Sequence, residues 1–126
     1  MTTMAGVPRM AGTAWVPAHL VTSPDAYVSQ VMDDGMLGAG VHEGDLVLVD
    51  PDRAPEDGNI VVAMVTWNNA RCRVIRWYRA GGLVLESANC MYPAMNLGPD
   101  ADLQVAGVVV RSFNPATAGE EVWLRD

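Results

Sequence analysis

Lysine is missing from this 126-residue chain; all eight basic side chains are arginines. Chemistry that needs a neutral amine as base or nucleophile therefore has no side chain to perform it. Cysteine is scarce as well. Cys72 and Cys90 are the only two, with neither CxxC nor Cys/His metal spacing, which predicts two reduced thiols in a cytoplasmic protein rather than a disulfide framework or a zinc site. Apolar runs fall well short of the roughly 20 residues of a membrane span. Residues 1–12 carry only Arg9 and no continuous apolar segment, so no secretory signal is read there. Positive charge is outnumbered: the net charge of −7 disfavours a phosphate-binding surface, and direct DNA binding is not expected. Nucleotide motifs of the P-loop and G-x-G-x-x-G kinds are absent, and no cofactor is implied. Clean 3.6-residue periodicity is absent too, which argues against a long helix.

Strand signals fill the space. Asp25 to Met32, Asp45 to Val49, Asn59 to Trp67 and Arg71 to Tyr78 are short and rich in β-branched and aromatic residues, and Leu83 to Glu86, Leu103 to Val110 and Glu121 to Leu124 continue the pattern. Turn residues punctuate them at Asp57-Gly58, Asn68-Asn69, Gly81-Gly82 and Gly98-Pro99. Ile60 to Val65 is apolar on both faces, as in a central strand covered on both sides. One short helical turn is expected after Gly35, through Met36 and Leu37. The reading is an all-β domain over residues 26–126, preceded by an extended arm over residues 1–25 that contains Pro8, Pro17 and Pro24. Arg71, Arg73, Arg76 and Arg79 cluster along one strand and read as its solvated face.

Val31 to Asp50, VMDDGMLGAGVHEGDLVLVD, resembles the signature of the LexA/UmuD family of self-cleaving repressors and mutagenesis proteins. That signature is roughly V-x-G-D-S-M followed by G-I-x-x-G-D-x-V-x-V-D. Met36, Gly40, Gly44, Asp45, Val47, Val49 and Asp50 match it as they stand. Asp57 to Ala63 resembles the family's D-G-x-I-V-V-A strand, and Arg73-Val74-Ile75-Arg76 stands where T-V-K-R is expected. Leu85, Asn89, Tyr92 and Pro93 echo L-x-P-x-N-x-x-Y-P, and Val105 to Arg111 resembles the closing strand. The likeness runs from about Val16 to Arg111. It implies a compact, mostly β fold that dimerises and holds its arm in a cleft.

The departures fall on the catalytic dyad of the family. Its serine corresponds to Gly35, beside Asp34, and its lysine to Ile75. Arg76 cannot act as the base, because arginine stays protonated and strand alternation starts its side chain on the opposite face from residue 75. Loss of the serine side chain is expected to leave the cleft roomier at that end. The family's cleavage bond, Ala-Gly or Cys-Gly, corresponds to Trp15-Val16 when Pro8 is aligned with the arm's usual proline; Ala11-Gly12 lies a few residues upstream.

Other chemistry is weaker. Asp34-Gly35 and Asp57-Gly58 could mimic an aspartic-protease pair, but the second is a plain turn between strands. Asp50, Asp52, Glu56 and Asp57 lack the glutamate and central glycine of a calcium loop, and His19 and His42 have no spaced metal partner. The expectation is a catalytically inactive relative that works by homodimerisation and by binding a peptide or partner. The layout resembles UmuD, which implies a RecA filament or a lesion-bypass polymerase as partner. The alternative is a self-cleaving peptidase that retains residual activity through other residues.

Overall fold

The computed structural model describes residues 8–11, 14–17, 20–98 and 101–114. Pro8–Ala11 (β1) and Ala14–Pro17 (β2) pair antiparallel in a two-stranded sheet of their own, with Ala11 opposite Ala14. Seven further strands form one sheet: Tyr27–Gln30 (β3), Leu46–Asp50 (β4), Ile60–Trp67 (β5), Ala70–Arg79 (β6), Val84–Glu86 (β7), Met95–Asn96 (β8) and Leu103–Phe113 (β9). Their order is β3-β4-β9-β5-β6-β7-β8, and every pairing is antiparallel. The last of the described strands, β9, is thus inserted between β4 and β5. No helix among the described residues is long and apolar enough to cross a membrane.

The all-β architecture follows from the alternation, and the central position of β5 from its two apolar faces. Val61, Ala63 and Val65 pack on one side with Val74, Leu85, Met95, Leu97 and Val108. Val62 packs on the other with Val31, Met36, Val41, Val47, Val49 and Ile75. A third cluster joins Leu48 to Ala26 and Phe113. Trp67 packs against the first cluster and Trp77 against the second. β9 reaches both neighbours by means of bulges, opposite Leu48/Val49 on β4 and opposite Val62/Ala63 on β5. An extra residue in one strand bends it and increases its twist.

Differences from the sequence reading are local. β3 begins at Tyr27 rather than Asp25 because residues 23–26 close a turn: the Ala26 amide donates to the Ser23 carbonyl at 3.1 Å and the Asp25 amide to Ser23 Oγ at 3.1 Å. β8 has no sequence signature, since two residues are too few to alternate. The expected helical turn is the 3-10 turn Leu37–Ala39. The Glu121 to Leu124 strand lies outside the described residues. The four arginines of β6 are only in part a solvated face: Arg71 and Arg79 lie at the surface in exposed ion pairs, whereas Arg73 and Arg76 turn to partners across the fold. Arg71 pairs with Asp102 at 2.9 Å, Arg79 with Glu86 at 3.0 Å, Arg73 donates to Ser29 Oγ, and Arg76 is buried.

The hairpin between β5 and β6 turns on Asn68 and Asn69, both in the left-handed region with φ of 51° and 64°. Two successive positive φ angles define the turn that suits the twist of paired strands, and asparagine tolerates them. Asn69→Val should therefore lower stability by about 1–2 kcal/mol, and Asn69→Gly should preserve it; urea unfolding of the two variants measures the difference.

Candidate functional site

The glycine-rich motif builds a loop against the end of β4. Gly40 and Gly44 take φ of 82° and 92°, which side chains with a Cβ resist. Asp45, 5% exposed, turns back so that its carboxylate accepts the His42 amide at 2.9 Å, with His42 Nδ1 3.5 Å from the same oxygen. Val31 and the turn exchange backbone bonds, Val31 N to the Asp45 carbonyl and Gly44 N to the Val31 carbonyl, both 2.8 Å. The Asp34 carboxylate accepts the Glu43 amide at 3.0 Å. The G-x-x-x-G-D pattern is therefore a turn specification. It holds residues 33–37 over the sheet, with Met36 buried beside Ile75 in the second core cluster.

Gly35 and the Ile75 carbonyl, at the two positions that the sequence reading aligned with the family's dyad, both lie against the Arg76 guanidinium at this point. β7 pairs with β6 only from Trp77 to Arg79. Past that point the chain turns away, and Ala88 instead bonds to the loop: its amide donates to the Gly35 carbonyl, and its carbonyl accepts the Gly38 amide, both at 2.7 Å. Asn89 Nδ2 adds a bond to the Asp34 carbonyl at 2.9 Å. In the gap left beside β6, the Arg76 guanidinium grips Asp33 through two parallel contacts, Nη1 to Oδ1 at 3.1 Å and Nη2 to Oδ2 at 3.2 Å. Nη1 also donates to the Ile75 carbonyl at 2.8 Å, and the guanidinium carbon lies 5.4 Å from the centre of the Tyr92 ring.

The expectation of a roomier cleft is therefore overturned. A Cβ built on Gly35 would overlap the Arg76 guanidinium. Arg76 does leave β6 on the face opposite Ile75, as alternation requires, because it lies opposite Val61 while Ile75 lies opposite Val62. Its side chain is long enough to bring the charge back to the glycine. Sequence reasoning missed Asp33, the partner that draws it there. The available signal was the run Asp33-Asp34-Gly35, with two carboxylates where the family pattern carries one.

Asp33 is held below the usual carboxylate range. Partial burial is the largest influence and pushes upward; the Arg76 hydrogen bonds, the Gly35 amide at 2.8 Å and the Arg76 charge together outweigh it. Asp50 is lowered as well, chiefly by the Thr22 hydroxyl at 2.5 Å, against the effect of burial and with help from the Asp52 amide at 2.9 Å.

The remaining candidates do not converge. Asp57 accepts the Gly81 amide at 3.0 Å, a turn role separate from that of Asp34, so the aspartic-protease pairing is not formed. No cluster of three or more His, Cys, Asp or Glu suited to a metal occurs among the described residues. Ser29 accepts a hydrogen bond from Arg73. Cys72 is half-buried and Cys90 exposed, both as free thiols. Of the arm positions, Ala11 ends β1 and Trp15 and Val16 lie within β2, while Gly12 and His19 lie outside the described residues.

An antiparallel β domain with a glycine-turned loop packed over β6 is the mostly β fold that the sequence resemblance implies. Residues 5–110 match the Peptidase S24-like family, and the chain belongs to it. It is 36% identical over 99 residues to the LexA repressor of Pelagibacter ubique (strain HTCC1062), an alignment covering 78% of this chain and 43% of that repressor.

Removing one member of a buried ion pair leaves the other charge stranded. Because about a third of Asp33 is exposed, Asp33→Asn should cost about 2 kcal/mol rather than the full penalty of a buried pair. The depressed carboxylates set a sign for pH. Their contribution is fully present above the unfolded value near 4 and is lost as pH falls through the lower folded values. Stability measured by denaturant titration should be level from about pH 5 to 7 and fall below about pH 4. The fall should be shallower in Asp33→Asn.

Proposed function

We propose that this chain is a catalytically inactive member of the S24-like family that acts by homodimerisation and by binding a peptide or partner, in a damage-response or transcriptional setting. The observation that carries this reading is the content of the dyad site. Glycine supplies no nucleophile and isoleucine no base, and the ionisable groups described at the spot, Arg76 and Asp33, are committed to each other. Met32, Leu37 and Met91 support the binding role. They stand in sequence within two residues of Asp33, Gly35 and Tyr92, and at 63%, 41% and 80% exposed they offer apolar surface to a partner. A RecA filament or a lesion-bypass polymerase is the partner class that the family implies.

The intact mass of the purified chain, after incubation at alkaline pH with and without activated RecA filaments, tests the inactivity. An unchanged 13.5 kDa is expected. A defined fragment cut within residues 1–25 would overturn it and favour residual self-cleavage by other residues. Light scattering during gel filtration should give twice the chain mass, and co-sedimentation with filaments should deplete the supernatant; a monomer or an undepleted supernatant would remove those roles one at a time. Gly35→Ser combined with Ile75→Lys should leave the mass unchanged, because the guanidinium still fills the serine's place.

A further inference from the structure

We propose that the position aligned with the family's serine has become a pocket for a guanidinium group, filled in cis by Arg76. Four elements recognise the group, each by a different chemistry. The Asp33 carboxylate meets both Nη atoms in the parallel, two-bonded geometry that suits a planar fork. The Ile75 carbonyl accepts a further hydrogen bond from Nη1. The Tyr92 ring lies 5.4 Å from the guanidinium carbon, within the range of a cation–π contact. Gly35 contributes the absence of a side chain, since any Cβ there would overlap the group.

Burial separates this arrangement from a surface ion pair. Arg76 is 3% exposed, and its Nε is buried without a hydrogen-bond partner among the described residues. The pocket thus satisfies the two ends of the fork and leaves the attachment to the stem unsatisfied. The arginine cannot swing aside cheaply, because doing so would strand a charge and break the bonds to Asp33 and Ile75 together.

The glycine is required by the pocket and not by the backbone. Gly35 does not occupy the left-handed region. An alanine in a compatible conformation normally stabilises a protein by restricting the unfolded chain. At Gly35 the sign should reverse as long as Arg76 is present. The inference rests on the geometry of the pocket alone, so it stands or falls independently of any partner.

The test uses the full chain as wild type, Arg76→Ala and Arg76→Ala/Asp33→Asn, with methylguanidinium chloride as probe and sodium chloride as the ionic-strength control. The Tm of Arg76→Ala should rise saturably, by about 5 °C at ten times the dissociation constant. Wild type, already filled, and the double variant, lacking the carboxylate, should not respond. No saturable rise in Arg76→Ala, or an equal rise in all three, would overturn the pocket. Should Arg76→Ala not fold, Gly35→Ala in the wild-type background decides. A Tm lowered by about 5 °C or more supports the pocket, and an unchanged or raised Tm refutes it.

Discussion

The bidentate pair between Arg76 and Asp33 is the interaction on which the arrangement of the loop and sheet depends. β3 and β6 stand four places apart in the strand order, yet Arg73 donates to Ser29 Oγ on β3 and Arg76 to Asp33 just beyond it. The sheet must curl for these contacts to form, and the bulges along β9 supply the bend at its centre. The second core cluster is enclosed by that curl. It gathers Val31 and Met36 from the loop, Val47 and Val49 from β4, and Val62 and Ile75 from β5 and β6. Apolar burial provides the driving force. The two arginines determine where the ends of the curl are joined.

An arginine in this role brings a constraint with it. A buried charge is tolerated only when paired and hydrogen-bonded, so Asp33, the Ile75 carbonyl and the bare Cα of Gly35 have to be satisfied together. A serine at Gly35 would compete with the guanidinium for one volume. In the family, the same place holds a small nucleophile beside a lysine kept neutral by dry surroundings. Here the dry surroundings remain, with Ile75 4% exposed, and the charge beside them is permanent and neutralised by a carboxylate. What lies against Gly35 in this structure is a fixed ion pair.

Much of the chain could be read without coordinates. Strand positions in β4, β5 and β6 follow from β-branched runs, and the two-faced apolar character of Ile60 to Val65 correctly marks the middle of the sheet. The glycine and aspartate pattern at Gly40, Gly44 and Asp45 specifies its turn through local rules, positive φ and a carboxylate capping an amide, which operate over a few residues. The pairing of Gly35 with Ile75 is read from resemblance rather than pattern. The roles of Arg73 and Arg76 were misread as solvent-facing, because a period of two predicts where a side chain leaves the strand and not where six further bonds carry its charge.

The sequence by itself determined the fold class, the central strand, the turn chemistry and the absence of a lysine base, since each depends on residue type and short-range spacing. Tertiary structure alone decided what lies against Gly35. Asp33 and Arg76 are 43 residues apart, and their pairing depends on β7 leaving β6 after Trp77 and on Ala88 drawing the Gly35 loop into the gap. Coulombic and hydrogen-bonding energies depend on distance in space and on burial. Neither quantity is written in the order of residues along a chain.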